Sequence, residues 1–130
     1  MMQRNPRYFF NKSERLSSQK SIQELFAKGS SFFVFPYKII YLHTEFPNTT
    51  PPKLLISVPK KIFKKAVDRN KIRRRIKEAY RQNKHMLLPV TEKNLSLSVA
   101  FIYVAKDILP FDHIENKLKK TLLRLSQVLQ

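Results

Sequence analysis

The sequence is poor in residues that build reactive or phosphate-binding sites. It has no cysteine and no tryptophan, and only one of its 130 residues is glycine. Without cysteine the chain forms neither disulfides nor thiolate metal sites, which fits a reducing compartment. A single glycine also excludes the glycine-rich loops that cradle nucleotide phosphates.

Acidic residues are scarce as well. Nine acids stand against 26 lysines and arginines, so the net charge is +17 and the pI is about 10.4. The acids are scattered, and His43, His85 and His113 show no metal-ligand spacing. The sequence therefore predicts no catalytic residue and no protein-bound metal, which argues against a nuclease that works by protein side chains alone.

Long apolar runs are missing too. No run reaches the roughly 18 residues that a membrane span needs. Residues 1–15 lack the hydrophobic core of a secretory signal, so we expect a cytoplasmic protein with no membrane partner. Apolar residues make up 42% of the chain, enough for a folded core. We expect a flexible arm over residues 1–13 and a single domain over residues 14–130.

The segment 60–81 concentrates the positive charge, with 11 of the 26 basic side chains and two acids. An apolar row recurs in it at helical spacing: Ile72, Ile76, Ala79 and Tyr80. A polar stripe lies on the opposite side of the same helix: Asn70, Arg74, Lys77 and Arg81. A disordered basic tail has no reason to keep the apolar row, so we predict a helix from about residue 64 to residue 82. Its charged side suits nucleic acid, although a merely solvated cationic face is the simpler alternative.

A first helix is predicted after Ser18, which is placed to cap it. Its expected inner face is Ile22, Leu25 and Phe26, at spacing i, i+3, i+4. Gly29 is placed to end the helix in the left-handed conformation.

Three strands are predicted from β-branched and aromatic residues, over 32–42, 53–58 and 95–105. Pro36 interrupts the first of them or places it at a sheet edge. A last helix carries a regular apolar row: Phe111, Ile114, Leu118, Leu122, Leu125 and Leu129. The resulting order, α, β, β, α, β, α, indicates an α/β or α+β fold in which helices cover a sheet.

Residues 57–81, SVPKKIFKKAVDRNKIRRRIKEAYR, resemble the signature segment of the bacterial ribonuclease P protein component. That pattern is a strand ending in Ser-Val, a Lys-Lys pair, a short spacer and a basic helix opening with Arg-Asn-Arg and Ile. The resemblance extends over roughly 14–127. Three positions depart from it: Lys71 replaces an arginine, Leu55-Ile56 stands where glycine is usual, and Pro59 replaces a small polar residue. Lys71 keeps the charge but loses the planar fork of arginine.

The resemblance implies an α/β (α+β) two-layer sandwich, a small central sheet covered by helices, with a left-handed βαβ crossover through the basic helix. It implies a protein subunit that binds the catalytic RNA of ribonuclease P and the 5′ leader of precursor tRNA, and assists leader removal. The Mg²⁺-dependent chemistry then belongs to the RNA, and the protein needs no cofactor and no obligate protein partner.

The resemblance also implies which residues face RNA. Seven come from the motif: Lys60, Lys61, Arg69, Asn70, Lys71, Arg73 and Arg74. Lys77 and Arg81 join them through the polar stripe. A leader cleft is implied at Ile22, Phe26, Lys38, Ile40 and Ser57. Isoleucine at position 40, where the family often has an aromatic residue, predicts weaker base stacking there.

Alternatives remain open at the level of sequence. Phe26 could equally be an ordinary core residue. A non-catalytic RNA binder such as a ribosomal protein would have similar charge. A helix lying on a membrane surface ranks last, because the apolar row of the basic helix is narrow and suits a protein core.

Overall fold

The computed structural model describes residues 14–45, 52–87 and 95–129. The elements in this part of the chain are α1 (Gln19–Lys28), β1 (Ser30–Val34), β2 (Tyr37–Glu45), β3 (Lys53–Ser57), α2 (Ala66–Asn83), β4 (Leu95–Tyr103) and α3 (Phe111–Val128). A 3₁₀ turn, Lys84–Leu87, follows α2. The arm predicted for residues 1–13 lies outside the described residues. No helix in the described ranges is both long and apolar enough to span a bilayer.

The four strands form one sheet in the order β1-β2-β4-β3. β2 pairs antiparallel with β1 and with β4, whereas β3 and β4 are parallel neighbours. The chain passes from β3 to β4 through α2, as a parallel pair requires a crossover connection. The predicted α+β class and the crossover through the basic helix are confirmed.

The single interrupted strand predicted for 32–42 is a hairpin of two strands. Phe35 and Pro36 occupy the turn, and Val34 pairs with Tyr37. Pro36 has no N–H to donate to a ladder, so the chain reverses there. Its carbonyl instead accepts a 2.8 Å hydrogen bond from the backbone N–H of Val104. The observed order is therefore α, β, β, β, α, β, α.

The main core lies between one face of the sheet and the helices α2 and α3. The predicted row of α2 is confirmed, because Ile72, Ile76, Ala79 and Tyr80 are all buried. The row of α3 is buried from Ile114 onward and packs into the same cluster. Burying these rows removes a large apolar area from water, which dominates the stability of such a domain. The charged sides of both helices are thereby turned outward.

The opposite face of the sheet is covered only in part, by α1. A second, smaller cluster forms there: Leu16, Leu25, Ile40 and Ala100. Ser18 caps α1 as predicted, with its hydroxyl oxygen accepting from Ser21 N–H at 3.4 Å. The predicted inner face holds for Leu25, but Phe26 is 47% exposed. Ile22 is half-buried. Leu25 and Phe26 point about 100° apart on the helix, so a face centred on Leu25 leaves Phe26 at its margin.

The left-handed conformation predicted for Gly29 is wrong. Its backbone is extended, with φ −71° and ψ 153°, and leads directly into β1. The glycine is required by close packing. A Cβ at this position would lie 2.8 Å from Ile40 Cγ2 and closer still to the carbonyl oxygen of Leu25. Gly29 therefore lets α1 and β2 approach each other.

The chain enters the domain through two contacts that join distant segments. Leu16 N–H donates a 2.9 Å hydrogen bond to the carbonyl of Leu54 in β3. Glu14 forms a 2.7 Å ion pair with Lys84, just after the end of α2. Glu14 and Leu16 are thus packed into the fold, while the boundary predicted between residues 13 and 14 stays a prediction.

Candidate nucleic-acid interface

Helix α2 presents a cationic surface because its other side is fixed in the core. The most exposed of the predicted RNA-facing residues on this helix are Asn70, Lys71 and Arg74. Arg73, Lys77 and Arg81 are half-buried. A phosphate backbone approaching from solvent would meet the three exposed side chains first.

The predicted RNA-facing residues differ in how they are already engaged. Arg73 donates a 3.3 Å hydrogen bond to Asn70 Oδ1. Arg81 donates to both carboxylate oxygens of Glu78, at 3.1 and 2.6 Å. These hydrogen bonds hold the pKa of Glu78 below its usual value, so the carboxylate stays ionised and offsets the charge of Arg81. Within the described part of the chain, Lys71, Arg74 and Lys77 form no hydrogen bond or ion pair through their side chains. Among the predicted RNA-facing residues of α2, these three cations are the ones not already engaged by other groups in the described part of the chain.

Arg69 makes hydrogen bonds to the backbone that its position in the sequence does not predict. Its Nη1 donates to the carbonyls of Phe63 and Lys64, at 2.9 and 3.0 Å. Phe63 is buried, and its ring centroid lies 5.9 Å from that of Tyr103. The turn between β3 and α2 is therefore pinned at one end by a core ring and by a guanidinium. The exposed Lys60 and Lys61 sit on this turn.

A second surface lies on the opposite face of the sheet. Residues paired across neighbouring strands point to the same face. The pairs Phe33–Lys38, Lys38–Ile102 and Ser57–Ile102 therefore place four side chains in one line across all four strands. We call this line the open row: Phe33, Lys38, Ile102 and Ser57. The ring of Phe33 is 62% exposed, and the other three are half-buried.

Helix α1 lies beside the open row. It covers the next line of side chains on the same face: Ile40 and Ala100, with Leu55 packed at the edge. We call the open row together with the flank of α1 the groove. Of the predicted cleft residues, Lys38 and Ser57 lie in the open row, Ile22 is half-buried on α1 and Phe26 is exposed on α1. Ile40 is only 8% exposed, because α1 covers it. Contact between these residues and RNA stays a prediction.

Sequence reasoning did not select Phe33 or Ile102. The signal for Phe33 was Pro36, which the sequence marks as a break in pairing. If residues 35–36 are taken as a two-residue turn, Phe33 falls opposite Lys38 and shares its face. Ile102 then follows as the partner of Lys38 on β4. Only the strand order, which places β4 next to β2, supplies that last step.

Within residues 14–45, 52–87 and 95–129, no group of three histidine or acidic side chains is arranged to hold a metal ion. His43, His85 and His113 are exposed on three different elements. What the arrangement offers chemically is positive charge, hydrogen-bond donors and one exposed aromatic ring beside a cation. These are the properties of a nucleic-acid-binding protein.

Comparisons with known proteins identify the family. The ribonuclease P family model matches residues 10–126. The ribonuclease P protein component of Porphyromonas gingivalis strain W83 is 34% identical over 122 residues, which cover 93% of this chain and 89% of the relative. That of Picosynechococcus sp. is 31% identical over 113 residues, covering 87% and 90%. The chain belongs to the ribonuclease P protein family.

Solved structures of RNase P proteins have the same fold. The RNase P protein of Staphylococcus aureus superposes with a TM-score of 0.68 at 27% identity, covering 92% of this chain and all of the other. The RNase P protein from Thermotoga maritima gives a TM-score of 0.67 at 23% identity, which shows a shared fold. The recognition made from residues 57–81 is confirmed, and with it the predicted fold.

Proposed function

We propose that this chain acts as the protein subunit of ribonuclease P by binding two RNAs at once. Helix α2 and the turn carrying Lys60 and Lys61 bind the catalytic RNA. The groove on the opposite face binds the 5′ leader of precursor tRNA. The observation that supports this most is the separation of the two surfaces by the sheet itself, in a member of this family.

Binding to the catalytic RNA is supported by the charge geometry of α2. Lys71, Arg74 and Lys77 stand on a helix whose other side is fully buried, so the backbone that carries them is fixed in place. A preformed helix need not be ordered when its cations meet a phosphate backbone, which lowers the entropic cost of binding. Each neutralised phosphate releases condensed counterions, which favours the complex at low salt.

Binding to the leader is supported by the groove. The open row offers the apolar surface of Ile102, the hydroxyl of Ser57 and the ammonium of Lys38. Unpaired nucleotides need this mixture, because their bases are apolar on their faces and their backbone is anionic. Helix α1 adds the exposed ring of Phe26 alongside.

The chemistry of leader removal is assigned to the RNA subunit and its Mg²⁺ ions. In the described residues no group of three or more histidine or acidic side chains is placed to hold a metal ion. The net charge of +17 instead reduces repulsion between the two RNAs. The protein should therefore lower the Mg²⁺ concentration that cleavage requires.

Reconstitution with the cognate catalytic RNA tests the proposal. RNA-free protein alone should leave precursor tRNA intact, and the ribonucleoprotein should cleave it at Mg²⁺ concentrations where RNA alone is slow. Cleavage by RNA-free protein would overturn the division of labour. Equal rates with and without protein at low Mg²⁺ would favour a non-catalytic RNA binder of the ribosomal type.

The groove is tested separately, with precursor tRNAs whose leaders differ in length. A longer leader should tighten substrate binding only when protein is present. Lys38→Ala should shrink that gain and leave affinity for the catalytic RNA nearly unchanged. Lys119→Ala, an exposed lysine on α3, is the matched control and should keep the full gain. An equal leader effect without protein would contradict leader binding in the groove. It would not affect the proposal that α2 binds the catalytic RNA.

A further inference from the structure

The β1 end of the groove carries a feature that the leader cleft does not account for. Phe33 lies on β1, the outermost strand on this side of the sheet, and its ring is 62% exposed. A large aromatic ring held in water on an edge strand is costly and invites wrong strand pairing. Its neighbour Phe32, by contrast, is buried in the main core.

The ring does not stand alone. Lys38 Nζ lies 5.8 Å from its centroid, within cation–π range. From the far side of β1, Arg124 Nη1 donates a 3.3 Å hydrogen bond to the carbonyl of Phe33. Arg124 also lies over the ring of Phe32, with Cζ 4.4 Å from its centroid. One cation, Lys38, therefore lies beside the exposed ring, and Arg124 holds the backbone of β1 from the opposite face of the sheet.

This arrangement fits one kind of occupant. A base can stack on an aromatic face while its phosphate meets a nearby cation. An acidic or apolar protein segment would use either the charge or the ring, whereas a nucleotide uses both. The net charge of the chain further favours a polyanion.

The position of Phe33 in the open row indicates where along a bound single strand its nucleotide lies. The open row spans three strand spacings of about 4.8 Å each, so its ends are about 14 Å apart. Ser57 forms one end, two residues before Pro59 and the turn that carries Lys60 and Lys61. Phe33 forms the other end, furthest from that turn. A single strand that enters beside the turn reaches Phe33 last.

We propose that Phe33, together with Lys38, forms a stacking site for an unpaired base at the distal end of the groove. The base belongs to the leader, further from the cleavage site than the nucleotides lying over Ser57 and Ile102. This inference rests on the proposed function and assigns the groove an additional nucleotide. It predicts that the chain distinguishes leaders by length up to the point where they reach β1.

The test uses the reconstituted ribonucleoprotein and precursor tRNAs whose leaders grow one nucleotide at a time. Wild-type affinity should rise again at the length that reaches Phe33. Phe33→Ala should abolish that last rise, by roughly five- to tenfold in Kd, and leave shorter leaders unaffected. Phe33→Tyr should keep it, whereas Phe33→Leu, which keeps apolar bulk without a π face, should lose most of it.

An abasic nucleotide gives the sharper readout. Placed at the critical leader position, it should weaken wild-type binding as much as Phe33→Ala does, and should have no further effect in that variant. Val128→Ala, a half-exposed apolar residue at the end of α3, is the control and should behave as wild type. A fluorescent adenine analogue at the same position should be quenched by wild type and by Phe33→Tyr only.

Other outcomes overturn the inference. If the wild type shows leader dependence but Phe33→Ala retains all of it, leader binding in the groove is supported and base stacking on Phe33 is contradicted. If the wild type shows no leader dependence, the groove and the stacking site fall together. If Phe33→Ala alters only self-association in sedimentation experiments, the ring is a protein contact. Phe33 is largely exposed, so its variants should melt as wild type does.

Discussion

Lys84 Nζ donates a 2.7 Å hydrogen bond to Glu14 Oε1, and the two side chains are only 11% and 10% exposed. The pair joins the first described residue of the domain to the turn that follows α2, 70 positions further along the chain. Both charges are largely withdrawn from water, and their ion pair offsets part of the lost hydration of each. A contact of this kind makes the orientation of α2 depend on the N-terminal entry of the chain.

Removing one partner of this pair should be costly. Glu14→Ala should lower the free energy of unfolding by about 3–5 kcal/mol, because it removes the carboxylate that is ion-paired with the largely buried Lys84 ammonium. Urea denaturation monitored by circular dichroism measures the loss. Glu24→Ala, an exposed acid on α1, is the control and should change stability by less than about 0.5 kcal/mol. A loss for Glu14→Ala as small as that for Glu24→Ala would show that the Glu14–Lys84 pair contributes little to stability.

The two sides of α2 should separate in mutagenesis. Arg74→Ala should leave melting almost unchanged but weaken binding to the catalytic RNA by about 1 kcal/mol, because it removes an exposed cation. Ile76→Ala should do the reverse and cost about 2–5 kcal/mol of stability, since its side chain is fully buried. Thermal unfolding and RNA titration distinguish them.

The salt dependence of the same titration gives an independent check. The logarithm of affinity should fall linearly with the logarithm of salt concentration, and Arg74→Ala should reduce the slope by about 0.7–0.9. A flat salt response in the wild type, or the same phenotype for both variants, would contradict the assignment of faces.

Arg69 should act through the turn that it holds. Arg69→Ala removes donors to the carbonyls of Phe63 and Lys64 and should destabilise the domain by about 1–3 kcal/mol, with weaker RNA binding. Arg69→Lys restores the charge without the planar guanidinium, so it should recover the salt slope but little of the stability. Full recovery of affinity and stability by lysine would mean that only the charge matters.

Alkaline pH should destabilise the protein through its buried tyrosines. Burial raises the pKa of Tyr37, whose hydroxyl donates a 2.9 Å hydrogen bond to the carbonyl of Ile114. Below about pH 10 the tyrosine is protonated in both states and contributes no pH dependence. Above that pH only the unfolded state releases the proton, so stability falls as pH rises.

Tyr37→Phe should therefore cost about 0.5–1.5 kcal/mol at neutral pH, through the lost hydrogen bond. Between about pH 10 and pH 11.5 it should lose stability less steeply than wild type, by up to roughly 1.4 kcal/mol per pH unit. Chemical denaturation at stepped pH values measures both effects. Parallel curves for the two proteins would show that folding does not raise the pKa of Tyr37.

The helices were predictable because their periodic rows are long and unambiguous. Ile72, Ile76 and Tyr80 can share a core only if residues 66–83 are helical, and the charged side then follows by geometry. The family signature in residues 57–81 is equally local, so the sequence alone was sufficient to recognise it. Both signals depend on spacing within a single element.

What the sequence could not supply depends on contacts between distant elements. Pro36 predicts a break in pairing over residues 32–42, which is compatible with one interrupted strand as well as with the observed hairpin. The end of α1 predicts a left-handed cap at Gly29, whereas a side chain there is blocked by the Leu25 carbonyl and by Ile40, which lies 11 positions along the chain. The engagement of Arg69 by backbone carbonyls also lies outside any periodic pattern.

The packing at Gly29 sets the separation between α1 and the sheet. The carbonyl of Leu25 and the methyl group Cγ2 of Ile40 together occupy the space that a side chain would need. A larger residue there would push α1 outward and carry Phe26 with it. Gly29, the one residue in the chain without a side chain, therefore sets the distance between α1 and the sheet. That distance in turn sets the width of the groove available to a nucleic-acid strand beside α1.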